Sequence, residues 1–192
     1  MQEIPQNTNE FVKHFAAQRQ WVCHSNKVPL NPRTGFNASV TNPPDWTDYE
    51  TAAFSAAAND GVGIGFVLTP ADPYICIDLD THKTTDQNII ALHEEIQRQF
   101  SNTYSERSPN GGTHIWVKGS IPRSIKSPQQ HIEIYDRDRY LQTRYWNRST
   151  CRHQKTIQLA RRRLIHSSMF EARKRQSLPT WIALISPARA IF

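Results

Sequence analysis

The sequence predicts an α+β domain, a mostly antiparallel sheet flanked by helices. Three observations carry the prediction. Short β-rich runs follow one another through tight turn signals, as hairpins do. Two or three segments carry apolar residues at helical spacing, and they interrupt the β-rich runs without a regular βαβ alternation. At 192 residues the chain is long enough for one domain with a real core.

The elements follow in order. In "NTNEFVKHFAAQRQW" the residues Phe11, Val12 and Phe15 share one helical face, with Thr8 or Asn9 as cap. "QWVCH" is a short strand. Asn26 to Asp45 holds four prolines, four asparagines and one glycine, which predicts a loop or loose hairpin. "TDYETAAFSAAA" opens as a capping box, Thr47 to Glu50, and continues as an Ala-rich helix. "GVGIGFVL" and "YICIDLD" are β-rich and separated by a Pro-Ala-Asp-Pro turn, so they are expected to pair as a hairpin. Residues 86–100 place Ile89, Ile90, Leu92, His93, Ile96 and Phe100 on one stripe, an amphipathic helix lying on a sheet. "SNTYSERS", "THIWVKG" and "HIEIYD" are three further strands, the last turning at "DRDR" into "RYL".

Charge divides the chain. Residues 1–143 carry 12 basic and 16 acidic side chains, whereas residues 144–192 carry 11 basic ones and a single acid, Glu171. The net charge of +6 therefore comes from the tail. Such a tail suits nucleic-acid phosphates, which release counterions on binding. A disordered or mistranslated end accounts for the same composition. No apolar run is long enough for a membrane span. The polar N-terminus is unlike a signal peptide. Cys23, Cys76 and Cys151 form neither a disulfide framework nor a CxxC metal site, so a reducing cytoplasm is expected.

Chemistry concentrates in three stretches. In "YICIDLD" the side chains of Asp78 and Asp80 share one strand face, roughly 6–7 Å apart, while Ile75, Ile77 and Leu79 point to the core. Like charges that close repel and raise each other's pKa. Solvent relieves that, as does a hard cation such as Mg²⁺ or Mn²⁺ between them. "SPNGGTHIWVKG" is a Gly-rich turn feeding a strand on which His114, Trp116 and Lys118 share a face. Backbone N–H groups beside an imidazole and a lysine suit phosphate. A tight hairpin with an exposed histidine is the other reading. In "HIEIYDRDRYL", Glu133 faces away from Ile132 and Ile134, as an ordinary surface glutamate also would.

In this order the stretches resemble the archaeo-eukaryotic primase superfamily, and within it the bifunctional primase–polymerase domains of phages, prophages and plasmids. "GVGIGFVL…YICIDLD" is similar to that family's GIGF…IDLD segment. "YSERSPNGGTHIWVKG" is similar to its SPSGxGxHI element, "IEIYDRDRY" to its IE(M/I)Y…RY strand, and "KVPLNPRTGFNASVTNPPDWTDYETA" to its leader. The likeness runs from about Gln20 to Tyr140. It implies a primase-like catalytic core with an RRM-like sheet. By the same resemblance, Asp78, Asp80 and Glu133 are the catalytic, metal-holding acids for Mg²⁺ or Mn²⁺. His114, Ser108, Gly111 and Gly112 lie around the nucleotide's phosphates, and Arg139 is a candidate phosphate contact. Lys118 is a nearby cation expected to help hold the triphosphate.

The implied activity is template-dependent nucleotidyl transfer by two-metal catalysis, in phage, prophage or plasmid DNA replication in the bacterial host cytoplasm. The implied partners are a single-stranded DNA template, nucleoside triphosphates and a replicative helicase, and no membrane. A catalytically inactive nucleic-acid-binding replication module and a metal-dependent nuclease are the competing readings. The resemblance breaks where RYFTVTG is expected and "RYLQTRYWNRST" stands. The division drawn is a primase–polymerase-like domain over 1–143 and a basic tail over 144–192. That tail is either the product of a shifted reading frame, which leaves the domain without its last strand and helix, or a divergent segment gripping template backbone.

Overall fold

The computed structural model describes residues 6–143, with side chains from Glu10 onward. The expectations for residues 144–192 lie outside the described residues. Three α-helices and nine strands are described: α1 (Gln6–Ala17), β1 (Trp21–Ser25), β2 (Val28–Leu30), α2 (Tyr49–Ala57), β3 (Gly63–Leu68), β4 (Tyr74–Leu79), α3 (Gln87–Gln99), β5 (Tyr104–Arg107), β6 (Thr113–Lys118), β7 (Ile125–Ser127), β8 (Ile132–Tyr135) and β9 (Arg139–Thr143). They form the expected α+β architecture, in two sheets of order β2-β1-β3-β9 and β5-β6-β4-β8-β7. Every ladder is antiparallel.

The two sheets correct one expectation. β3 and β4 do not pair. β3 lies between β1 and β9, and β4 lies between β6 and β8. Both strands are apolar because both are central, and a central strand needs two neighbours that a hairpin partner alone does not supply. The Thr-Pro-Ala-Asp-Pro stretch carries the chain from one sheet to the other. Asp72 ties it down, accepting from the Thr69 backbone N–H at 2.8 Å and from the Gln20 side chain at 2.7 Å.

The second sheet is a middle layer. On one face Ile75, Ile77, Leu79, Ile115, Ile132 and Ile134 pack against Ile96 of α3 and Phe100 just past its end. On the other, Tyr74, Cys76, Tyr104, Trp116 and Tyr135 meet Phe11 and Phe15 of α1, and the cluster continues into Phe66, Ile64 and Leu141 of the first sheet. Phe11 stacks on Tyr104 with ring centroids 4.4 Å apart. Trp116 is only 1% exposed in this cluster, so it packs the core and offers no face to a base. Burying Cys76 on this face holds its thiol well above the ordinary thiol pKa, which suits a core residue and no nucleophile.

Three local details differ from expectation. α1 starts at Gln6, so Thr8 and Asn9 fall within its first turn. α2 is capped by Asp48, whose carboxylate accepts from the Thr51 N–H at 2.8 Å; Thr47 instead pairs through its backbone with Trp21. The expected loose hairpin is ordered at its start, where Asn26 and Lys27 both have positive φ, the requirement of a two-residue turn that matches strand twist.

Candidate active site

The register of the second sheet puts five ionisable residues in one row across all five strands. Glu106 of β5 is opposite His114 of β6, His114 is opposite Asp78 of β4, Asp78 is opposite Glu133 of β8, and Glu133 is opposite Lys126 of β7. Residues directly opposite in an antiparallel pair have Cβ atoms about 4.5–5.5 Å apart. The row therefore brings together side chains 28 positions apart in sequence or more on either flank of Asp78. It lies on the face whose other end is filled by the α1 aromatics. Glu133 is beside Asp78 and one-third exposed, so it is neither remote nor turned inward.

Asp80 stands one step past the end of β4. Its backbone N–H donates to the His131 carbonyl at 3.0 Å, which holds it against the approach to β8. Lys83 donates to its carboxylate, and His82 Nδ1 lies 3.8 Å from it. Asp78 is more enclosed, and its nearest counter-charge is His114 Nε2 at 3.6 Å. Burial raises the Asp78 pKa. His114 and Lys83 work against that, while Asp80 and Glu133 add to it. Glu133 accepts from the Tyr135 hydroxyl, and Arg139 Nη2 is 4.0 Å away. Arg139 also lies over the Tyr135 ring, 4.9 Å from its centroid.

His114 is buried between two carboxylates, with Glu106 Oε1 3.4 Å from Nδ1 and Asp78 beyond Nε2. Burial pushes its pKa down, but the Glu106 bond and the charges of Asp78, Glu106 and Asp80 outweigh it, and the net shift is upward. The Gly-rich turn closes beside this pair. The Ser108 N–H donates to the Gly112 carbonyl at 2.9 Å, and the Gly111 N–H to the Ser108 carbonyl at 3.0 Å. Gly111 has φ +97°, a conformation side chains rarely adopt. At Gly112 a Cβ would stand 2.7 Å from the Leu79 carbonyl oxygen and 3.5 Å from Asp80 Oδ1. Only glycine lets the turn lie this close to the end of β4.

Asp78, Asp80, Glu133, His114, Ser108, Gly111, Gly112 and Arg139 thus share one neighbourhood. Lys118 does not. It is on the face expected, but it pairs with Tyr74, four residues along β6 from His114, roughly 13 Å at the usual strand rise. There it borders a shallow surface depression with Lys13 and Glu10 of α1. Strand alternation gave its face correctly and left its distance unread. Two residues of the site were missed by reading the sequence. Glu106 alternates with Tyr104 on the inward side of β5, a signal present in "YSER", and Tyr135 reaches Glu133 from two residues along β8.

Hard carboxylate oxygens around a raised-pKa aspartate suit a divalent cation. Each carboxylate is at present held by a group of the protein, and among the described residues no three His, Cys, Asp or Glu side chains close into a metal-holding group. The donor chemistry fits. Lys83 engages one oxygen of Asp80 and Tyr135 one oxygen of Glu133.

Comparison with known proteins fixes the class. Residues 13–181 match the family described as bifunctional DNA primase/polymerase, N-terminal, and the chain belongs to that family. The match runs through the described domain and on into the basic tail. The chain is also 33% identical over 142 residues to the DNA primase-polymerase of Nitratiruptor phage NrS-1. That alignment covers 68% of this chain and 20% of the phage protein, so the chain spans about a fifth of its relative's length.

Proposed function

We propose that this domain is the nucleotidyl-transfer core of a DNA primase–polymerase acting in phage, prophage or plasmid replication in the host cytoplasm. The observation that carries the reading is the cross-strand neighbourhood of Glu133, Asp78 and His114, with Asp80 and the Gly-rich turn at its end. The reaction joins the 3′-hydroxyl of a growing strand to the α-phosphorus of a nucleoside triphosphate; the P–O bond to the β-phosphate breaks and pyrophosphate leaves. Asp78, Asp80 and Glu133 would hold Mg²⁺ or Mn²⁺. When bound, such ions lower the pKa of the attacking hydroxyl and neutralise the leaving group.

The remaining roles belong to this chain's own side chains. His114, held by Glu106 and biased toward its cationic form, donates to a phosphate oxygen. The Ser108–Gly112 turn lies against the triphosphate, and Gly112 keeps that turn against Asp80. Lys83 and Arg139, freed from Asp80 and Glu133 by loading, supply positive charge at the rim. The template is single-stranded DNA. Among the described residues no helix is long and apolar enough to cross a membrane.

The test is incorporation of labelled nucleotides on single-stranded DNA with Mg²⁺ or Mn²⁺, by the wild type and by Asp80→Ala. Products from the wild type alone are expected. Strand cleavage in place of incorporation would replace the reading with a nuclease. DNA binding that survives Asp80→Ala without incorporation by the wild type, and is lost on deleting residues 144–192, would replace it with a non-catalytic binding module.

A further inference from the structure

His93 sits on the far side of the second sheet from the carboxylates and is fully buried. It is the polar member of the α3 stripe, and a leucine there would satisfy the stripe as well. Instead its imidazole makes two short hydrogen bonds to different segments. Nε2 lies 2.7 Å from the carbonyl oxygen of Gln130. Nδ1 lies 2.9 Å from the hydroxyl of Thr81. A carbonyl only accepts, so Nε2 carries the proton; Nδ1 is then the acceptor for the Thr81 O–H. With the ring neutral and protonated at Nε2, both ring nitrogens are partnered.

The two partners are informative. Thr81 directly follows Asp80. Gln130 lies two residues before Ile132, where β8 begins, and three before Glu133. Between them runs the last backbone bond joining the two strands, Asp80 N–H to the His131 carbonyl at 3.0 Å, just beyond the Leu79–Ile132 pair. His131 is left-handed there, with φ +53°. The β4–β8 ladder therefore ends in an irregular junction, and the junction sets where Asp80 stands relative to Glu133. The His93 ring braces it from behind.

We propose that His93 is a positioning residue for the carboxylate site: it fixes the Asp80 segment to the Glu133 segment at the spacing a divalent cation requires. The proposal rests on the reading of Asp78, Asp80 and Glu133 as metal-holding acids. Groups that orient ligands from behind typically change metal affinity by about 10–100-fold when lost.

The test uses the full chain and Mn²⁺ alone, with affinity read from the electron paramagnetic resonance of free Mn²⁺ and stability read separately by urea titration. Asp80→Ala is the control for the site itself. His93→Phe fills the volume without the bonds, and is expected to weaken Mn²⁺ binding by about tenfold or more. Thr81→Val keeps the shape and removes only the hydroxyl, so it folds even if His93→Phe does not; a weakening of several-fold is expected. His93→Gln, which retains a donor and an acceptor, is expected to recover part of the affinity. If Asp80→Ala weakens Mn²⁺ binding while Thr81→Val and a folded His93→Phe do not, His93 is structural only and the proposal fails. If Asp80→Ala leaves Mn²⁺ binding unchanged, the metal reading fails first and the proposal falls with it.

Discussion

Gly112→Ala offers a sharp perturbation because it tests fold and site together. The added methyl would stand 2.7 Å from the Leu79 carbonyl oxygen and 3.2 Å from Ser108 Oγ. The first neighbour is backbone in the interior of the sheet, so the turn must move rather than the strand. Gly112 is not in the left-handed region, so alanine is conformationally allowed and the penalty is steric. Overpacking of this kind costs about 1–3 kcal/mol. Loss of glycine's freedom in the unfolded chain returns about 0.4–1 kcal/mol. A net loss of about 1–2 kcal/mol remains, or about 3–7 °C in Tm for a domain of this size. The displaced turn also moves away from Asp80, and misplacements approaching 1 Å cost up to about 10²-fold in rate. Thermal denaturation followed by circular dichroism, with nucleotide incorporation on the same samples, gives both readouts. Gly61→Ala is the control: φ there is +73° with no atom within 4 Å, so it should cost about 1 kcal/mol of strain and leave incorporation intact. A Gly112→Ala protein with Tm within about 1 °C of wild type and unchanged incorporation would mean that the turn does not need glycine to lie against β4.

Three further outcomes are expected. Asp78→Asn should abolish incorporation while raising stability by about 0.5–2 kcal/mol, since burial and like charges disfavour the ionised carboxylate; urea titration at neutral pH reads this. Phe11→Ala should cost about 3–5 kcal/mol, because the ring is 1% exposed and central to the aromatic cluster joining α1 to both sheets; the same titration measures it. Burial holds the His93 pKa below 6.5, so the unfolded chain takes up its proton first; the stability His93 gives is complete above about pH 6.5 and declines below it, and the Tm gap between wild type and His93→Gln should narrow from pH 7.5 to 5.5.

Much of this architecture was legible in local pattern. The stripe from Ile89 to Phe100 is α3, and strand alternation placed Asp78, His114 and Glu133 on the correct faces. The motif order around Asp78, Asp80, His114 and Glu133 also led to the family to which the chain belongs. What local pattern does not contain is pairing. "GIGFVL" and "YICIDL" read as a hairpin because adjacent strands usually pair, whereas their partners lie as far away as β9 and β8. The row from Glu106 to Lys126 depends on four separate registers, and a slip at any one would dissolve it. Trp116 and His114 share a face, yet α1 covers the first and leaves the second at the site. Which half of a strand a distant helix covers is not written in that strand. β7 was missed for a related reason: a three-residue edge strand carries too little alternation to stand out.

Asp80 and Glu133 come together where the ends of β4 and β8 meet. Crystals of the chain grown with Mn²⁺, and recorded at a wavelength where manganese scatters anomalously, locate the ion without assuming any role for it. A peak bounded by the carboxylates of Asp78, Asp80 and Glu133, with Lys83 withdrawn from Asp80, is expected. Manganese bound elsewhere, with Lys83 and Tyr135 still holding Asp80 and Glu133, would contradict that metal site.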